Sequence, residues 1–483
     1  MLETNKKSPK VVFISGIFNV LHPGHIRLFK MASELGQKVV VGVFKKSQAG
    51  SHILGDDDRI MALKSISLVD EVTLVDDLVQ TLEKIKPDIV VKGHEFKHRY
   101  NIEQDIVSKW QGKLIFNSGE SLSGAVNYIP NGKQYYSPVF TDAFRKFAGR
   151  HKVACSNLIQ LIGETKSLRV AVVGDIIVDE YVECDPVGLS REDPTIVVKP
   201  TNTKQFVGGA AIVALHAKSF GCHVDFFSIC GEDEQGAWVK EQVKQHGIGE
   251  YLIVDNSRPT TSKRRYRSQN KTLLRVNNFR GHSLEPQLFT QFVELFESQI
   301  ANYDVVIFSD FSYGLLNGDM VANLMDIARK QNVFVAADSQ TSSQRGDLSK
   351  FTSLDLVTPT ELEARLAVGI MDNDVGLAEI IENVSQRLNV KNVLITLGAE
   401  GTLILDATEP KHHLDSLPAL NKNPLDVAGA GDLTLVCSAL LLKAGATLWQ
   451  ASFVAMVASA IHVSCLGNTP NDVERLMQSL ESL

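Results

Sequence analysis

A chain of 483 residues exceeds one ordinary hydrophobic core and is expected to form two or three domains. Its 44% hydrophobic and 22% charged content fits a soluble globular protein, and a net charge of −7 argues against a general binder of nucleic acid or of a membrane surface. No apolar run reaches the about 20 residues of a spanning helix. The N-terminus lacks the apolar core of a signal peptide, and six scattered cysteines without Cys-x-x-Cys point to reduced thiols and a cytoplasmic protein.

In chain order, Val11–Ile14 reads as a buried strand. Gly16-Ile17-Phe18-Asn19-Val20-Leu21-His22-Pro23-Gly24-His25 follows, and then Ile26, Leu28, Phe29, Ala32 and Leu35 recur at helical spacing. His22 and His25 therefore fall where a strand ends and a helix begins. Unpaired N–H groups there, with Gly24 admitting close approach, suit a phosphate. Both imidazoles can donate to phosphate oxygens whose charge grows during displacement at phosphorus. Two histidines so spaced could also be solvated surface or half of a zinc site, although no Cys pair or third His stands nearby. Val39–Val43 and Ile89–Val91 read as further buried strands, with helices over Asp58–Ile66 and Leu78–Ile85. That alternation predicts a doubly wound α/β sheet with ligands at the strand C-termini.

Residues 131–167 change character. Turn residues give way to one amphipathic helix over Ala143–Ile162, expected to be a connector. A second α/β pattern begins at Arg169–Asp175 and runs through Val224–Ser228, Val305–Phe308, Val333–Ala337 and Val393–Ile395. Near its end, Asp426-Val427-Ala428-Gly429-Ala430-Gly431-Asp432 enters an apolar helix. Small residues at a helix start form a nest of N–H groups for phosphate, and Asp432 is placed to accept a proton from an attacking hydroxyl. The plainer alternative is an Asp that caps a helix.

The first of these motif sets resembles the nucleotidyltransferase superfamily with a His-x-Gly-His signature, over about residues 10–130. In that superfamily a phosphorylated alcohol or sugar attacks the α-phosphate of a nucleoside triphosphate. The resemblance implies catalytic roles for His22 and His25. It implies nucleotide contacts at Gly16, Phe18, Asn19, Gly24, Arg59, Lys92, Gly93, Ser121 and Ser123. Val90–Phe96 resembles a second block of the superfamily, and Ser121-Leu122-Ser123-Gly124 stands in place of its Ser/Thr-rich loop.

The second set resembles the ribokinase-like sugar kinases over about residues 168–475. That likeness implies Asp432 as general base and Gly429, Ala430 and Gly431 as anion hole. Thr396, Gly398 and Gly401 would lie on the nucleotide side. Asp175, Asp179, Gly208, Gly209 and Arg275 would face the sugar, with Glu363 beside magnesium. Val187–Pro194, Ser268–Asn270 with Leu273–Arg275, and Phe308–Gly314 are most similar to heptose-7-phosphate kinases. Joined to the first set, they resemble the bifunctional heptose-7-phosphate kinase/heptose-1-phosphate adenylyltransferase family, which makes an ADP-heptose precursor of lipopolysaccharide. Here the transferase comes first.

The expected fold is thus α/β throughout. A Rossmann-like nucleotidyltransferase domain occupies 1–135, a connector helix 136–167, and a ribokinase-like domain with a small β lid 168–483. ATP, Mg2+, sugar phosphates and nucleoside triphosphates are the expected small molecules, and a homodimer through the lid is the expected assembly. Three departures from the kinase pattern stand out: Ile212 in place of Asn, Thr360 in place of the Asn of Asn-x-x-Glu, and Ser339-Gln340-Thr341 in place of Pro-Lys-Gly. They leave open a chain in which only the transferase is active and the kinase-like half binds a sugar nucleotide or regulates.

Overall fold

The computed structural model describes residues 10–18, 21, 23–45, 54–93, 101–116, 138, 140–190, 193, 195–268, 271–341, 346–372, 374–408, 413–422 and 424–481. The chain divides into two compact units, Met1–Tyr136 and Ser137–Leu483.

The first unit alternates β1 (Val11–Gly16), α1 (Pro23–Leu35), β2 (Lys38–Phe44), α2 (Asp56–Lys64), β3 (Glu71–Val75), α3 (Leu78–Ile85), β4 (Ile89–Lys92), α4 (Ile102–Val107) and β5 (Lys113–Phe116). The strands form one parallel sheet in the order β3-β2-β1-β4-β5. Runs such as Val39-Val40-Val41 are apolar throughout because both faces of a parallel sheet are covered. Successive residues point to opposite faces. Val12, Ile14 and Val41 accordingly pack with Phe29 and Ala32 on one side, and Phe13, Val40 and Val90 with Leu82 and Ile106 on the other. Chain direction across the sheet reverses at β1, so a crevice opens between the C-terminal ends of β1 and β4.

The second unit opens with α5 (Asp142–Arg150) and α6 (Cys155–Glu164). The single helix expected over Ala143–Ile162 is broken by a turn at His151–Ala154, where Lys152 takes φ +53°. Its core follows as β6 (Arg169–Gly174), β7 (Ile176–Leu189), β8 (Ile196–Gly209), α7 (Ala210–Ser219), β9 (His223–Cys230), α8 (Glu234–Gln245) and β10 (Gly249–Val254). Next come β11 (Ser262–Ser268), β12 (Lys271–Asn278), α9 (Pro286–Gln299), β13 (Val305–Asp310), α10 (Gly318–Lys330), β14 (Phe334–Ser339) and β15 (Leu354–Val357). The unit ends with α11 (Glu361–Val368), α12 (Leu377–Leu388), β16 (Val390–Thr396), β17 (Thr402–Asp406), β18 (His413–Leu417), α13 (Ala430–Lys443), α14 (Leu448–His462) and α15 (Val473–Leu480).

Nine strands form the main sheet, in the order β10-β9-β6-β13-β14-β15-β16-β17-β18, parallel as far as β16 and antiparallel beyond it. A separate four-stranded sheet, β12-β11-β7-β8, makes the lid. α5 belongs to this unit: Phe144 and Phe147 pack on Phe453 of α14, and Arg150 and His151 both bond Asp415 of β18. Among the described residues no helix is long and apolar enough to cross a membrane.

Candidate active sites

The Gly429–Asp432 turn of the second unit is built from its glycines upward. Gly429 caps α13 at φ +81°, a left-handed conformation that favours glycine. A Cβ there would lie 1.8 Å from Asn468 Oδ1 and 3.0 Å from His462 Nε2. Asp426 holds the turn from below, accepting from Ala428 N at 3.1 Å, Gly467 N at 3.0 Å and Tyr181 Oη at 2.9 Å. His462 Nε2 meets Ala428 O at 2.8 Å, so the ring donates there. Burial holds that imidazole below its ordinary pKa. Gly431, by contrast, has nothing within 4 Å of where a side chain would start. The side of the first turn of α13 that a side chain at Gly431 would occupy is thus open. Gly429→Ala should collapse this turn, with a loss of about 2 kcal/mol or more in stability and most phosphoryl transfer, as read by denaturant melts and ATP turnover.

Asp432 stands in that first turn, only 5% exposed. Burial pushes its carboxyl up to about 7; Lys263 opposes the rise, and the charges of Asp179 and Glu363 add to it. A carboxylate poised near neutrality suits general-base work. Gln340 Nε2 donates to its Oδ1 at 2.7 Å.

Magnesium would sit on the carboxylates beside it. Glu363 accepts Thr341 N at 2.6 Å through Oε1, and Thr360 N at 2.8 Å and Thr360 Oγ1 at 2.7 Å through Oε2. Thr360 in turn caps α11 through a capping box, so Thr serves in the Asn place as a cap. Asp338, next to last in β14, is buried with Oδ1 lacking any hydrogen-bond partner, and burial, Glu363 and Asp432 hold its carboxyl well above the usual range. Among the described residues no group of three or more His, Cys, Asp or Glu side chains is disposed to hold a metal ion. Such a site fits magnesium, which keeps waters and binds through one or two carboxylates and substrate phosphates.

Most of the residues expected on the sugar side belong to the four-stranded sheet. Asp179 on β7 is buried and paired with Arg265 Nη1 of β11 at 2.6 Å. A Cβ on Gly208 would fall 2.3 Å from Asp179 Oδ2, so glycine leaves this carboxylate its place. Gly209 takes φ +61° as β8 turns into α7, and Ala210 N donates to Asp175 O. Asp175, just after β6, is buried. Its Oδ2 accepts the backbone N–H groups of Phe311 at 3.1 Å and Tyr313 at 3.2 Å, and burial with nearby Asp310 pushes it up to about 6. It shapes the loop after β13. Arg275 is exposed on β12, in register with Arg265. Ile212 is fully buried in the first turn of α7. On the nucleotide side, Thr396 ends β16 and donates its N–H to Pro359 O at 2.8 Å. Gly398 (φ +57°) faces open space, while a Cβ on Gly401 (φ +109°) would strike Leu417 O.

Sequence reasoning missed Lys263, Asp338 and Gln340 as site residues. Lys263 is buried on β11, its Nζ 5.3 Å from the Phe311 ring centre and 5.4 Å from that of Tyr313, and burial pushes its pKa down to about 8. The alternation Lys263, Arg265, Arg267 along one strand was the available signal.

In the first unit, β1 ends at Gly16, whose missing side chain makes room for the Phe18 ring: a Cβ would lie 2.8 Å from it. Phe18 takes φ +51° and packs edge-on to His25, ring centres 5.0 Å apart, with Phe29 at 5.8 Å. His25 is half-buried in the first turn of α1, which also contains Gly24, at the crevice of the sheet. Phe18 thus aims His25 rather than presenting itself to solvent. Arg59 is wholly buried; it donates through Nη1 to Ile17 O at 2.5 Å and through Nη2 to Phe44 O at 3.0 Å, and pairs with Asp56. It straps the chain after β1 to the end of β2. Arg59→Met should cost the first unit about 3 kcal/mol, measured by chemical denaturation, because two backbone acceptors and a carboxylate lose their donor. Lys92, at the end of β4 before Gly93, pairs with buried Glu103 at 2.6 Å. Asn19, His22, Ser121 and Ser123 lie outside the described residues.

Residues 167–474 match the model of the pfkB family carbohydrate kinases, and residues 13–116 match the cytidylyltransferase-like model. The transferase-first order expected from the motifs is the order of these two matches. The bifunctional protein HldE of Helicobacter hepaticus is 30% identical over 327 residues, 66% of this chain and 65% of that one. That of Nitratiruptor sp. is 27% identical over 318 residues, 65% of each chain. This chain therefore spans just under two thirds of the length of these curated relatives. Phosphofructokinase-2 from Escherichia coli shares the fold of 65% of this chain at TM-score 0.54 and 15% identity, over 98% of its own length. Ribokinase from Arabidopsis thaliana does so over 65% of this chain at TM-score 0.52 and 18% identity, over 99% of its own length. With nearly two thirds of its length matched by that one model, the chain belongs to the pfkB family of carbohydrate kinases and carries a cytidylyltransferase-like domain ahead of the kinase fold.

Proposed function

We propose that this chain is a two-site enzyme of ADP-heptose-like nucleotide-sugar synthesis, feeding lipopolysaccharide. The observation that carries the kinase half is Asp432, a buried carboxylate poised near neutrality in the first turn of α13 after the Gly429 cap. The acceptor hydroxyl gives its proton to Asp432 as its oxygen attacks the γ-phosphorus of ATP. The bond to the β,γ-bridging oxygen breaks and ADP leaves. Backbone N–H groups after Gly429 and the Lys263 ammonium meet the charge of the transferring group. Asp338 and Glu363 would hold magnesium, which when bound would supply positive charge against the phosphates. Asp179 orients the sugar beside Gly208.

In the transferase half, an oxygen of a sugar-1-phosphate attacks the α-phosphorus of a nucleoside triphosphate and pyrophosphate leaves. His25, aimed by Phe18, donates to the α-phosphate, with His22 as its companion. Heptose as the sugar rests on the kinase motifs and on the likeness to the two bifunctional relatives. Six free cysteines accord with a reducing cytoplasm. Exposed Leu274 and Val276 alternate on β12, and Leu189 faces Ile196 across β7 and β8, an apolar lid surface suited to a second copy of the chain. Light scattering should then report a dimer.

The test is to supply ATP and magnesium with heptose-7-phosphate, fructose-6-phosphate or free sugars, and to separate the products. A sugar bisphosphate with ADP supports the kinase reading. Pyrophosphate release from ATP or CTP with a sugar-1-phosphate supports the transferase reading. Absence of either product across the panel removes the corresponding half.

A further inference from the structure

The four residues from Asp338 to Thr341 engage the carboxylates of the kinase site in sequence. Asp338 contributes its own buried carboxylate, and Ser339 Oγ donates to Asp310 Oδ2 at 2.5 Å. Gln340 Nε2 donates to Asp432 Oδ1 at 2.7 Å, and Thr341 N donates to Glu363 Oε1 at 2.6 Å. The segment is itself anchored, since Gln340 N donates to Asp310 O at 2.9 Å.

Resting on the kinase reading above, we propose that Gln340 is a positioning residue of the phosphoryl-transfer site, whose side-chain amide holds Asp432 turned away from its own helix. Asp432 is the third residue of α13, counted from the Gly429 cap. An acid at that position readily folds back onto the unpaired N–H groups of its helix start. Those same N–H groups form the nest for the transferring phosphate. A folded-back Asp432 would fill the nest with its own negative charge and withdraw the base from the acceptor. Gln340 occupies Oδ1 and leaves Oδ2 for the hydroxyl.

The other groups facing Asp432 do not replace it. Lys263 from β11 attracts it, while Asp179 from β7, Glu363 from α11 and Asp338 from β14 repel it. An amide donor adds direction without adding charge.

The experiment compares Gln340→Leu and Gln340→Glu, which remove the donor, with Gln340→Lys, which keeps one. Loss of the donor should lower kcat about tenfold or more, with KM for ATP and calorimetric ADP affinity within about twofold of the parent. Gln340→Lys should stay within about threefold. A kcat unchanged in Gln340→Leu and Gln340→Glu, or an equal fall in Gln340→Lys, overturns the proposal. Crystals of Gln340→Leu, or of Gln340→Glu if that variant alone folds, should show Asp432 rotated onto the start of α13. An unmoved side chain also overturns it. That rotamer decides the matter even if the parent chain phosphorylates no sugar phosphate, an outcome that would sink the kinase reading alone.

Discussion

Asp432→Asn is expected to abolish sugar phosphorylation and, above neutral pH, to make the second unit more stable. The catalytic loss follows from chemistry: an amide cannot take the hydroxyl proton, and general bases contribute about 10²–10⁴-fold. The stability gain follows from linkage. Burial holds the Asp432 carboxyl at about 7 against an ordinary value of 3.8, so the folded state binds this proton more tightly than the unfolded state. Its contribution is favourable in acid and is lost as pH rises through about 7. Asn carries no charge to bury and still offers an oxygen to Gln340 Nε2. The variant should therefore match the parent below pH 3.8, gain across the interval up to about 7, and level off above it. The plateau should be on the order of 4 kcal/mol, because each tenfold difference in proton affinity is worth about 1.4 kcal/mol. Denaturant melts at several pH values measure it, and a parent as stable as the variant at pH 8 would show that Asp432 is not strained. In the parent, phosphorylation should fall as pH drops below about 7, because the protonated base has no lone pair to offer.

Such a strained carboxylate is where local sequence rules and stability part company. The Gly429–Asp432 turn was legible because its demands are local. A left-handed cap needs glycine, and an apolar helix after it fixes the direction. Three strands of the first unit were legible for the same reason, since β1, β2 and β4 each read as an apolar run. Lys263 was not legible. It reaches the site because β11 pairs in parallel with β7, setting Lys263 beside Asp179, and no spacing along the chain reveals that register. Asp338 and Gln340 stayed hidden likewise, because their partners come from α11 and α13. Arg59 was singled out by the resemblance alone; its bonds to the carbonyls of Ile17 and Phe44 depend on how the chain after β1 meets the end of β2, which no local spacing shows. The two backbone amides that Asp175 serves come from the loop after β13, and no spacing along the chain reveals them. Ile212, which stands in place of Asn, has a wholly buried side chain in α7.

His25→Ala should stop pyrophosphate release and leave sugar phosphorylation untouched. The imidazole stands in the first turn of α1 at the crevice where the sheet reverses direction, where a nucleotide phosphate meets the helix start. Removing one preorganised donor to a charged transition state costs about 10²–10³-fold in rate. Packing complicates the alanine, because the ring also rests on Phe18 and lies parallel to Phe29, centres 6.4 Å apart. His25→Phe separates the two effects: it fills the same space without a donor. If chemistry is the role, the phenylalanine variant loses as much pyrophosphate release as the alanine while melting like the parent. If packing is the role, it recovers activity, and the assignment of His25 to the α-phosphate fails. The second unit folds around its own core, so its phosphorylation of a sugar phosphate should stay within about twofold in either variant. Loss of both activities together would mean that the two sites are one machine.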